Sequence, residues 1–310
     1  MIEVRNLSKS FGEVVAVDNI SFNVARGEVL GFLGPNAAGK STTMRMITGF
    51  LPPTSGTAII GGHDILKESL KARNLMGYLP ENAPVYGEMT VSSFLDFCAE
   101  IRGFSGRNKV QRKNEVIEKC FLKEVKHQPI DTLSKGYKQR VCFAQSIIHD
   151  PPYLIMDEPT DGLDPNQKHE VRTMIKEMSK EKTIILSTHI LEEVEAVCTR
   201  AIIIAKGKIV ADDTPDGLKA RSPLHGTYRA RVSLTPQSGE DRLNALKESD
   251  GVKDVEVLAR RETQLDVRIY PAGQLSANDI LGILTNAHME IESFSVEEGR
   301  LDKVFRMITT

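Results

Sequence analysis

The amino-acid sequence predicts an α/β fold in which a mostly parallel sheet is covered by helices, followed by a small α+β module. The first observation is a set of short apolar runs of the kind that forms buried parallel strands, at residues 28–33, 153–156, 183–186 and 201–205. The second is a set of helical patterns that alternate with these runs, at residues 40–49, 167–180 and 190–198. Such alternation is typical of a parallel sheet with helices on its faces.

The N-terminal segment is predicted to form strands joined by tight turns. Residues 2–7 alternate apolar and polar side chains, and a second strand pattern covers residues 14–24. Gly12 and the pair Arg26-Gly27 are typical turn residues at the ends of these strands. The first strand of the parallel sheet is then expected to begin at Glu28.

Residues 89–149 have a different pattern and are predicted to form a helical insertion. Apolar residues recur at intervals of three and four, for example at Val91, Phe94, Leu95 and Cys98. This spacing places the apolar side chains on one face of a helix.

The C-terminal part of the chain is predicted to form a separate module. A turn-rich segment at residues 212–223 marks the boundary, which gives domains at residues 1–220 and 221–310. The patterns then follow the order strand, helix, strand, strand, helix, strand, at residues 228–234, 239–249, 252–258, 264–270, 276–287 and 290–296, before a short final helix. This order is typical of a ferredoxin-like α+β fold.

Composition and charge exclude several classes of protein. The 310 residues include 40 Lys and Arg against 42 Asp and Glu, which excludes a polybasic chain and an acidic disordered one. No apolar run approaches the roughly 18–20 residues of a membrane-spanning helix, and the N-terminal residues have no apolar signal-peptide core. The cysteines form no C-x-x-C pair and are predicted to be reduced thiols of a cytosolic protein: Cys98, Cys120, Cys142 and Cys198.

Residues 34–41 (GPNAAGKS) fit the pattern G-x-x-x-x-G-K-[ST] of a phosphate-binding loop. A loop with few side chains between a strand and a helix lets backbone N–H groups surround the β-phosphate of a nucleotide. Lys40 then supplies a cation to the β- and γ-phosphates, and the Ser41 hydroxyl is placed to bind Mg²⁺.

Ala37 stands where such loops often have glycine. We expect a right-handed backbone there, because a Cβ at positive φ costs about 1 kcal/mol.

Two carboxylates, Asp157 and Glu158, directly follow the apolar run 153–156. The carboxyl end of a parallel strand faces the nucleotide crevice of such a sheet. Asp157 is therefore predicted to hold the Mg²⁺ shell, and Glu158 to accept a proton from the attacking water or to polarise it. Together with the phosphate loop, this pair predicts a nucleotide hydrolase.

Through these motifs, residues 1–220 resemble the ATP-binding subunits of ABC transporters. Residues 133–140 (LSKGYKQR) resemble the signature motif of that family, usually LSGGQ, and residues 161–164 (DGLD) resemble its D-loop. His189 is similar to the switch histidine at the γ-phosphate, and Phe11 is similar to the aromatic residue that stacks on adenine.

The resemblance implies a P-loop NTPase fold, in which a RecA-like core carries an antiparallel β subdomain and a helical subdomain at about residues 89–149. It also implies ATP and Mg²⁺ as cofactors. The residues expected at the nucleotide are Phe11, Gly34, Pro35, Asn36, Ala37, Ala38, Gly39, Lys40, Ser41, Thr42, Glu81, Ser134, Lys135 and Gly136. Those expected at the metal are Ser41, Glu81 and Asp157, and those expected in catalysis are Lys40, Glu158 and His189.

Four residues depart from the commonest pattern of the family. Lys135 and Tyr137 replace Gly and Gln in the signature motif, and Asp161 replaces the more usual serine of the D-loop. Glu81 stands where a glutamine is usual, and its carboxylate still offers Mg²⁺ an oxygen while adding a negative charge. The remaining catalytic set is intact, so we predict an active ATPase.

Within the family, the chain resembles subunits of ABC-2-type exporters, including drug-resistance and gliding-motility-associated relatives, in residues 32–36, 49–56 and 78–82. The resemblance implies that two copies sandwich two ATP molecules, each between one phosphate loop and the partner copy's residues 134–136. A separate membrane permease would dock near Glu81 and the helical insertion and would choose the transported substrate. We therefore expect a protein peripheral on the cytoplasmic face of the cell membrane, with no nucleic-acid partner.

Two other interpretations stay open. Basic side chains in the helical insertion suit a soluble ABC ATPase that acts on nucleic acid or ribosomes, although a solvated helix face also explains them: Arg102, Arg107, Lys109, Arg112, Lys113, Lys119, Lys123 and Lys126. In the other, residues 221–310 form a regulatory ligand-binding or dimerisation domain. That module has no convergent set of His, Cys or carboxylate residues that would name a ligand.

Overall fold

The computed structural model of the protein describes residues 1–82, 84–233, 239–261, 263–273 and 275–309. Contacts divide the chain into two units, Met1–Pro215 together with the residues from Ile308 on, and Asp216–Met307. The division falls inside the turn-rich segment 212–223. In these described ranges no helix combines the length and the apolar character that crossing a membrane requires.

The first unit alternates strands and helices along the chain. Its strands are β1 (Ile2–Phe11), β2 (Val14–Val24), β3 (Val29–Leu33), β4 (Ser55–Ile60), β5 (His63–Asp64), β6 (Met76–Leu79), β7 (Tyr153–Asp157), β8 (Thr183–Thr188), β9 (Arg200–Ala205) and β10 (Lys208–Asp213). Its helices are α1 (Lys40–Ile47), α2 (Ser69–Asn74), α3 (Val91–Ile101), α4 (Gly106–Lys119), α5 (Lys135–Ile147), α6 (Pro165–Ser179) and α7 (Leu191–Val197).

The larger sheet has the strand order β10-β9-β3-β8-β7-β6. Its strands from β9 to β6 are parallel, and only the edge strand β10 pairs antiparallel. Every residue of β3 and β8 is buried, as expected for strands that are covered on both faces. The predicted parallel sheet is confirmed, and the carboxyl ends of β3, β8, β7 and β6 meet along one edge.

A second, antiparallel sheet contains the N-terminal strands in the order β2-β1-β4-β5. Its apolar side chains, among them Ile2 and Leu7, share one core with Phe32 of β3 and Met44 of α1. Phe22 of β2 packs on Phe32 with ring centroids 5.5 Å apart. This core holds α1, the helix that follows the phosphate loop, against both sheets.

The predicted helical insertion consists of α3, α4 and α5. Val91, Phe94 and Cys98 are buried along one face of α3, as their spacing predicts. The Thr90 hydroxyl accepts a hydrogen bond of 3.2 Å from the backbone N–H of Ser93 and so caps the start of α3.

All four cysteines are free thiols, as predicted. Burial raises the pKa of Cys98 to about 11 and the pKa of Cys120 and Cys142 to about 12. Burial also raises the pKa of Cys198. Because the reactive form is the thiolate, these side chains are inert apolar groups at neutral pH.

The second unit begins within α8 (Pro215–Ala220), and the elements after this helix have the predicted order. These are β11 (Thr227–Ser233), α9 (Gly239–Lys247), β12 (Val252–Arg260), β13 (Gln264–Pro271), α10 (Ala277–Asn286), β14 (Glu290–Glu297) and α11 (Leu301–Thr309). The sheet order is β12-β13-β11-β14 and every pair is antiparallel. Residue 234, the predicted end of the first strand, lies outside the described residues.

One histidine of the first unit is expected to make folding depend on pH. His149 Nε2 donates to the backbone oxygen of Met76 at 3.0 Å. Desolvation, followed by the charges of Arg102, Lys182 and Arg112, lowers the pKa of His149 to about 4. This value lies below the unfolded value of about 6.5. The folded protein therefore binds fewer protons in this window, and stability falls as the pH falls through it.

We predict that His149→Gln, which keeps a donor for Met76, makes stability less sensitive to pH. Between pH 7 and pH 5 the parent protein should lose about 1 kcal/mol more than the variant, after allowance for solvent screening. Urea unfolding followed by circular dichroism measures the difference. His127→Gln, at an exposed histidine, is the matched control, and equal pH dependence in the parent and His149→Gln would contradict the assignment.

Candidate nucleotide-binding site

The phosphate loop lies between β3 and α1, as predicted. Gly39 has a φ of 108° and caps α1. A Cβ at this residue would lie 2.6 Å from the backbone oxygen of Ala16, so both the positive φ and the close approach of the chain require glycine. Gly39 therefore has no side chain at the point where the loop joins α1.

The predicted conformation of Ala37 is wrong. Its φ is 63°, in the left-handed region. The backbone N–H of Ala38 donates to the Pro35 oxygen at 3.2 Å, which closes a tight turn over Asn36 and Ala37. Positive φ at the third position of a turn is the type II geometry. Ala37 is exposed, and its Cβ makes the positive φ less favourable by about 1 kcal/mol.

Lys40 folds back over its own loop. Its side chain is 6% exposed and its Nζ lies 3.4 Å from Glu158 Oε1. The same Nζ donates to the backbone oxygens of Gly34 at 2.8 Å and Pro35 at 3.2 Å. The ammonium group thus sits at the mouth of the loop and pairs with a carboxylate from β7.

Asp157 ends β7 in a buried position. Its Oδ1 accepts hydrogen bonds from Ser41 Oγ at 3.1 Å and from Ser187 Oγ, whereas its Oδ2 is buried with no hydrogen-bond partner. Desolvation raises the pKa of Asp157, although both serine hydrogen bonds oppose the shift. A hydroxyl oxygen beside an unpartnered carboxylate oxygen is a donor set that fits Mg²⁺, so Ser41 and Asp157 are suited to the predicted metal role.

Glu158 lies between two nitrogen groups. Its carboxylate contacts Lys40 on one side, and its Oε2 is 2.9 Å from His189 Nδ1 on the other. Its backbone has a φ of 50° and donates to the Ser187 oxygen at 3.1 Å. Residues predicted separately from three places in the sequence therefore converge at the carboxyl ends of β3, β7 and β8.

Sequence reasoning missed three residues that support this site. Ser187 donates to Asp157, and the Thr188 hydroxyl donates to Glu193 Oε2 at 2.7 Å. Burial raises the pKa of Glu193, with the Thr188 hydrogen bond opposing the shift. In the sequence, these residues could have been found from the change to hydroxyl side chains, Ser187 and Thr188, directly after the apolar run 183–186.

The signature motif lies at the start of α5. Ser134 caps α5 by accepting from the backbone N–H of Tyr137 at 3.4 Å. Lys135 Nζ lies 3.3 Å from Asp161 Oδ2 in the D-loop. Within the described part of the chain, Ser134, Lys135 and Gly136 form no hydrogen bond with the phosphate loop.

Phe11 and Glu81 lie at other edges of the unit. Phe11 is the last residue of β1, is 51% exposed, and has Lys9 Nζ 5.2 Å from its ring centroid. Glu81 is exposed two residues after β6, on the strand beside β7. In the described ranges no three His, Cys, Asp or Glu residues cluster as a metal site.

We predict that Asp157→Asn raises the thermal stability of the free protein but weakens its stabilisation by ATP with Mg²⁺. Without nucleotide, the melting temperature should rise. The rise should be about 2–4 °C for each 1 kcal/mol of desolvation cost that the neutral asparagine removes. Because the raised pKa of Asp157 makes its charged form unfavourable, this gain should grow as the pH rises through that pKa. The stabilisation by ATP with Mg²⁺ should shrink.

Calorimetry with EDTA and with ATP plus Mg²⁺ measures both effects. Asp216→Asn is the matched control, since that side chain is 96% exposed. A lower melting temperature together with an unchanged response to ATP and Mg²⁺ would contradict the role of Asp157.

Comparisons of sequence identify the relatives of the chain. Residues 17–161 match the sequence pattern of a family described as ABC transporter. The linearmycin resistance ATP-binding protein LnrL of Bacillus subtilis (strain 168) is 33% identical over 100% of this chain and 98% of its own length. The probable multidrug ABC transporter ATP-binding protein YbhF of Escherichia coli (strain K12) is 41% identical over 72% of this chain, and the match spans only 38% of that protein.

Solved structures agree with the predicted P-loop NTPase fold. A structure described as the ATP-binding subunit of an ABC transporter matches with a TM-score of 0.65 and 31% identity, over 71% of this chain and 92% of its own. The cassette MJ0796, solved as a dimer, matches with a TM-score of 0.65 over 69% of this chain and 99% of its own. Its 23% identity supports the fold alone. The chain belongs to the family of ABC transporter ATP-binding proteins.

Proposed function

We propose that the protein binds and hydrolyses ATP as the subunit that powers a separate membrane permease, in an exporter. The observation that carries the proposal is the convergence of Lys40, Asp157, Glu158 and His189 beside the phosphate loop. Lys40 and Asp157 flank the position of a nucleotide's phosphates, and Glu158 is held by His189 at 2.9 Å. This arrangement suits phosphoryl transfer to water, which needs positioned charge more than covalent chemistry.

Each residue of the site has a distinct role in the proposal. Lys40 leaves Glu158 and binds the β- and γ-phosphates, which frees the Glu158 carboxylate to orient water and take its proton. His189 holds Glu158 in place and reaches the γ-phosphate. Ser41 and Asp157 would hold Mg²⁺, which would neutralise charge on the phosphates.

The proposed active form is a dimer. Ser134 marks the start of α5, where backbone N–H groups and the positive end of the helix dipole suit a phosphate. Because this helix end makes no hydrogen bond with the phosphate loop of its own chain, a second copy would supply it. The dimeric state of the cassette MJ0796, which has the same fold, supports this arrangement.

A groove of about 440 Å³ is the proposed docking site for the permease. Three arginines line it, namely Arg45, Arg73 and Arg102, and Glu81 is the only carboxylate in its lining as described. Phe50 also lines the groove and is 76% exposed. An amphipathic permease segment that carries carboxylates and an apolar face matches this lining in charge and in hydrophobicity.

The alternative function on nucleic acid loses its main support. Four of the basic side chains in the helical insertion form ion pairs with nearby carboxylates: Lys109 with Glu100, Lys113 with Asp96, Arg112 with Glu115 and Lys123 with Glu118. A basic surface that is neutralised in this way attracts phosphate backbones weakly. The names of the multidrug and linearmycin-resistance relatives favour export, and we place the protein on the cytoplasmic face of the cell membrane.

We predict that Glu158→Gln abolishes most turnover while ATP still binds. Loss of a general base lowers the hydrolysis rate by roughly 100-fold or more, and the amide keeps a hydrogen-bonding group near His189. With ATP the variant should change from monomer to dimer in light scattering, because the bound nucleotide is not consumed. Glu192→Gln is the matched control, since this α7 carboxylate is exposed. Normal turnover in Glu158→Gln would overturn the assignment.

We predict that the charge of the groove decides whether the permease binds. Arg73→Glu combined with Arg102→Glu should greatly reduce co-purification of a multi-spanning membrane protein in detergent, because two attractive charges become repulsive. ATP binding by the purified variant should be unchanged. Arg107→Glu is the matched control, since this exposed arginine on α4 lies outside the groove. Equal recovery of the membrane protein with both variants would contradict the docking site.

A further inference from the structure

Two residues that depart from the commonest family pattern contact each other. Lys135, the first residue of α5, has its Nζ 3.3 Å from Asp161 Oδ2 in the D-loop. The two side chains are 61% and 45% exposed. We call this contact the signature–D-loop ion pair. An exposed pair of this kind contributes little to stability, about 0–1 kcal/mol, so another partner can displace it.

The D-loop has room for the lysine side chain and is hydrogen-bonded to the backbone of Glu158. A Cβ at Gly162 would lie 2.1 Å from Lys135 Nζ, so the absence of a side chain there makes room for the ammonium group. The backbone N–H of Asp161 donates to the backbone oxygen of Glu158 at 3.2 Å.

We propose that Lys135 exchanges Asp161 for the γ-phosphate of ATP bound to a second copy of the chain. This inference rests on the ATP-dependent dimer proposed above. In the free subunit, Asp161 neutralises the ammonium group and keeps it on its own D-loop. In the dimer, a γ-phosphate offers more negative charge than one carboxylate, so the lysine moves to it and forms a charge-assisted hydrogen bond.

The exchange gives Lys135 and Asp161 opposite effects on assembly. Lys135 favours the dimer because it binds the partner's nucleotide. Asp161 opposes the dimer because it competes for the same cation. If the ion pair only held α5 against the D-loop, removal of either side chain would weaken the same contact and shift assembly in the same direction.

The test uses Glu158→Gln as the parent, so that ATP is not consumed. Light scattering measures the ATP concentration at which half of the protein is dimeric. Asp161→Asn should lower that concentration roughly two- to fivefold, which corresponds to loss of an exposed ion pair. Lys135→Gln should raise it roughly tenfold, which corresponds to loss of a charged hydrogen bond. Lys135→Gln combined with Asp161→Asn should behave like Lys135→Gln alone.

Two further variants distinguish charge from shape. Lys135→Arg keeps a cation and should assemble close to the parent. Asp161→Ser, which installs the more usual residue, should lower the ATP concentration as Asp161→Asn does. All variants should bind fluorescent ADP with the parent's affinity, because ADP lacks a γ-phosphate and the phosphate loop is intact.

Several outcomes would overturn the inference. They are a rise or no change with Asp161→Asn, no change with Lys135→Gln, or an altered affinity for ADP in either variant. If Glu158→Gln alone stays monomeric at saturating ATP, the proposed dimer fails, and the inference fails with it. If Glu158→Gln dimerises but both single variants shift in one direction, only the exchange is wrong.

Discussion

The contact between Lys40 and Glu158 is the interaction on which the rest of the site depends. Both side chains are almost fully buried, and 3.4 Å separates their charged atoms. A buried charge without a partner costs several kcal/mol, so each of the two charges offsets the cost of burying the other. The ammonium group of Lys40 and the carboxylate of Glu158 thus neutralise one another. In the proposed mechanism a nucleotide replaces Glu158 as the partner of Lys40, and that replacement releases the carboxylate for chemistry.

The apolar sheet that positions these residues also makes their charges energetically unfavourable, because it keeps solvent away from them. β3 and β8 are buried throughout, so the carboxyl ends of the strands present polar groups in a poorly solvated place. Desolvation raises the pKa of Asp157, and its buried Oδ2 has no hydrogen-bond partner. A metal ion would remove both penalties when it binds, since it replaces the missing solvent. The free subunit is therefore less stable than the same sheet would be without these buried charged groups, and in return it has a site prepared for a cation.

Local patterns predicted most of the fold and the main site residues. The apolar runs became β3, β7, β8 and β9 because burial on both faces is visible as uninterrupted hydrophobicity. The conformation of Ala37 was missed because the hydrogen bond from Ala38 to Pro35 outweighs the preference of one residue. Ser187 was missed because its contact needs the register that places it beside Asp157. The contact between Lys135 and Asp161 joins residues 26 positions apart, and no local pattern contains it.

That last contact also explains why two departures from the family pattern belong together. A lysine in the signature motif adds a cation where the usual residue has none, and by itself it would leave a positive charge beside the start of α5, whose helix dipole is also positive. An aspartate in the D-loop of the same chain offsets that charge while the subunit is alone. In the proposed dimer the signature motif would serve the nucleotide of a second copy, whereas the backbone N–H of Asp161 in the D-loop donates to the backbone oxygen of Glu158. A charge pair between them would therefore link the two nucleotide sites of that dimer through one chain.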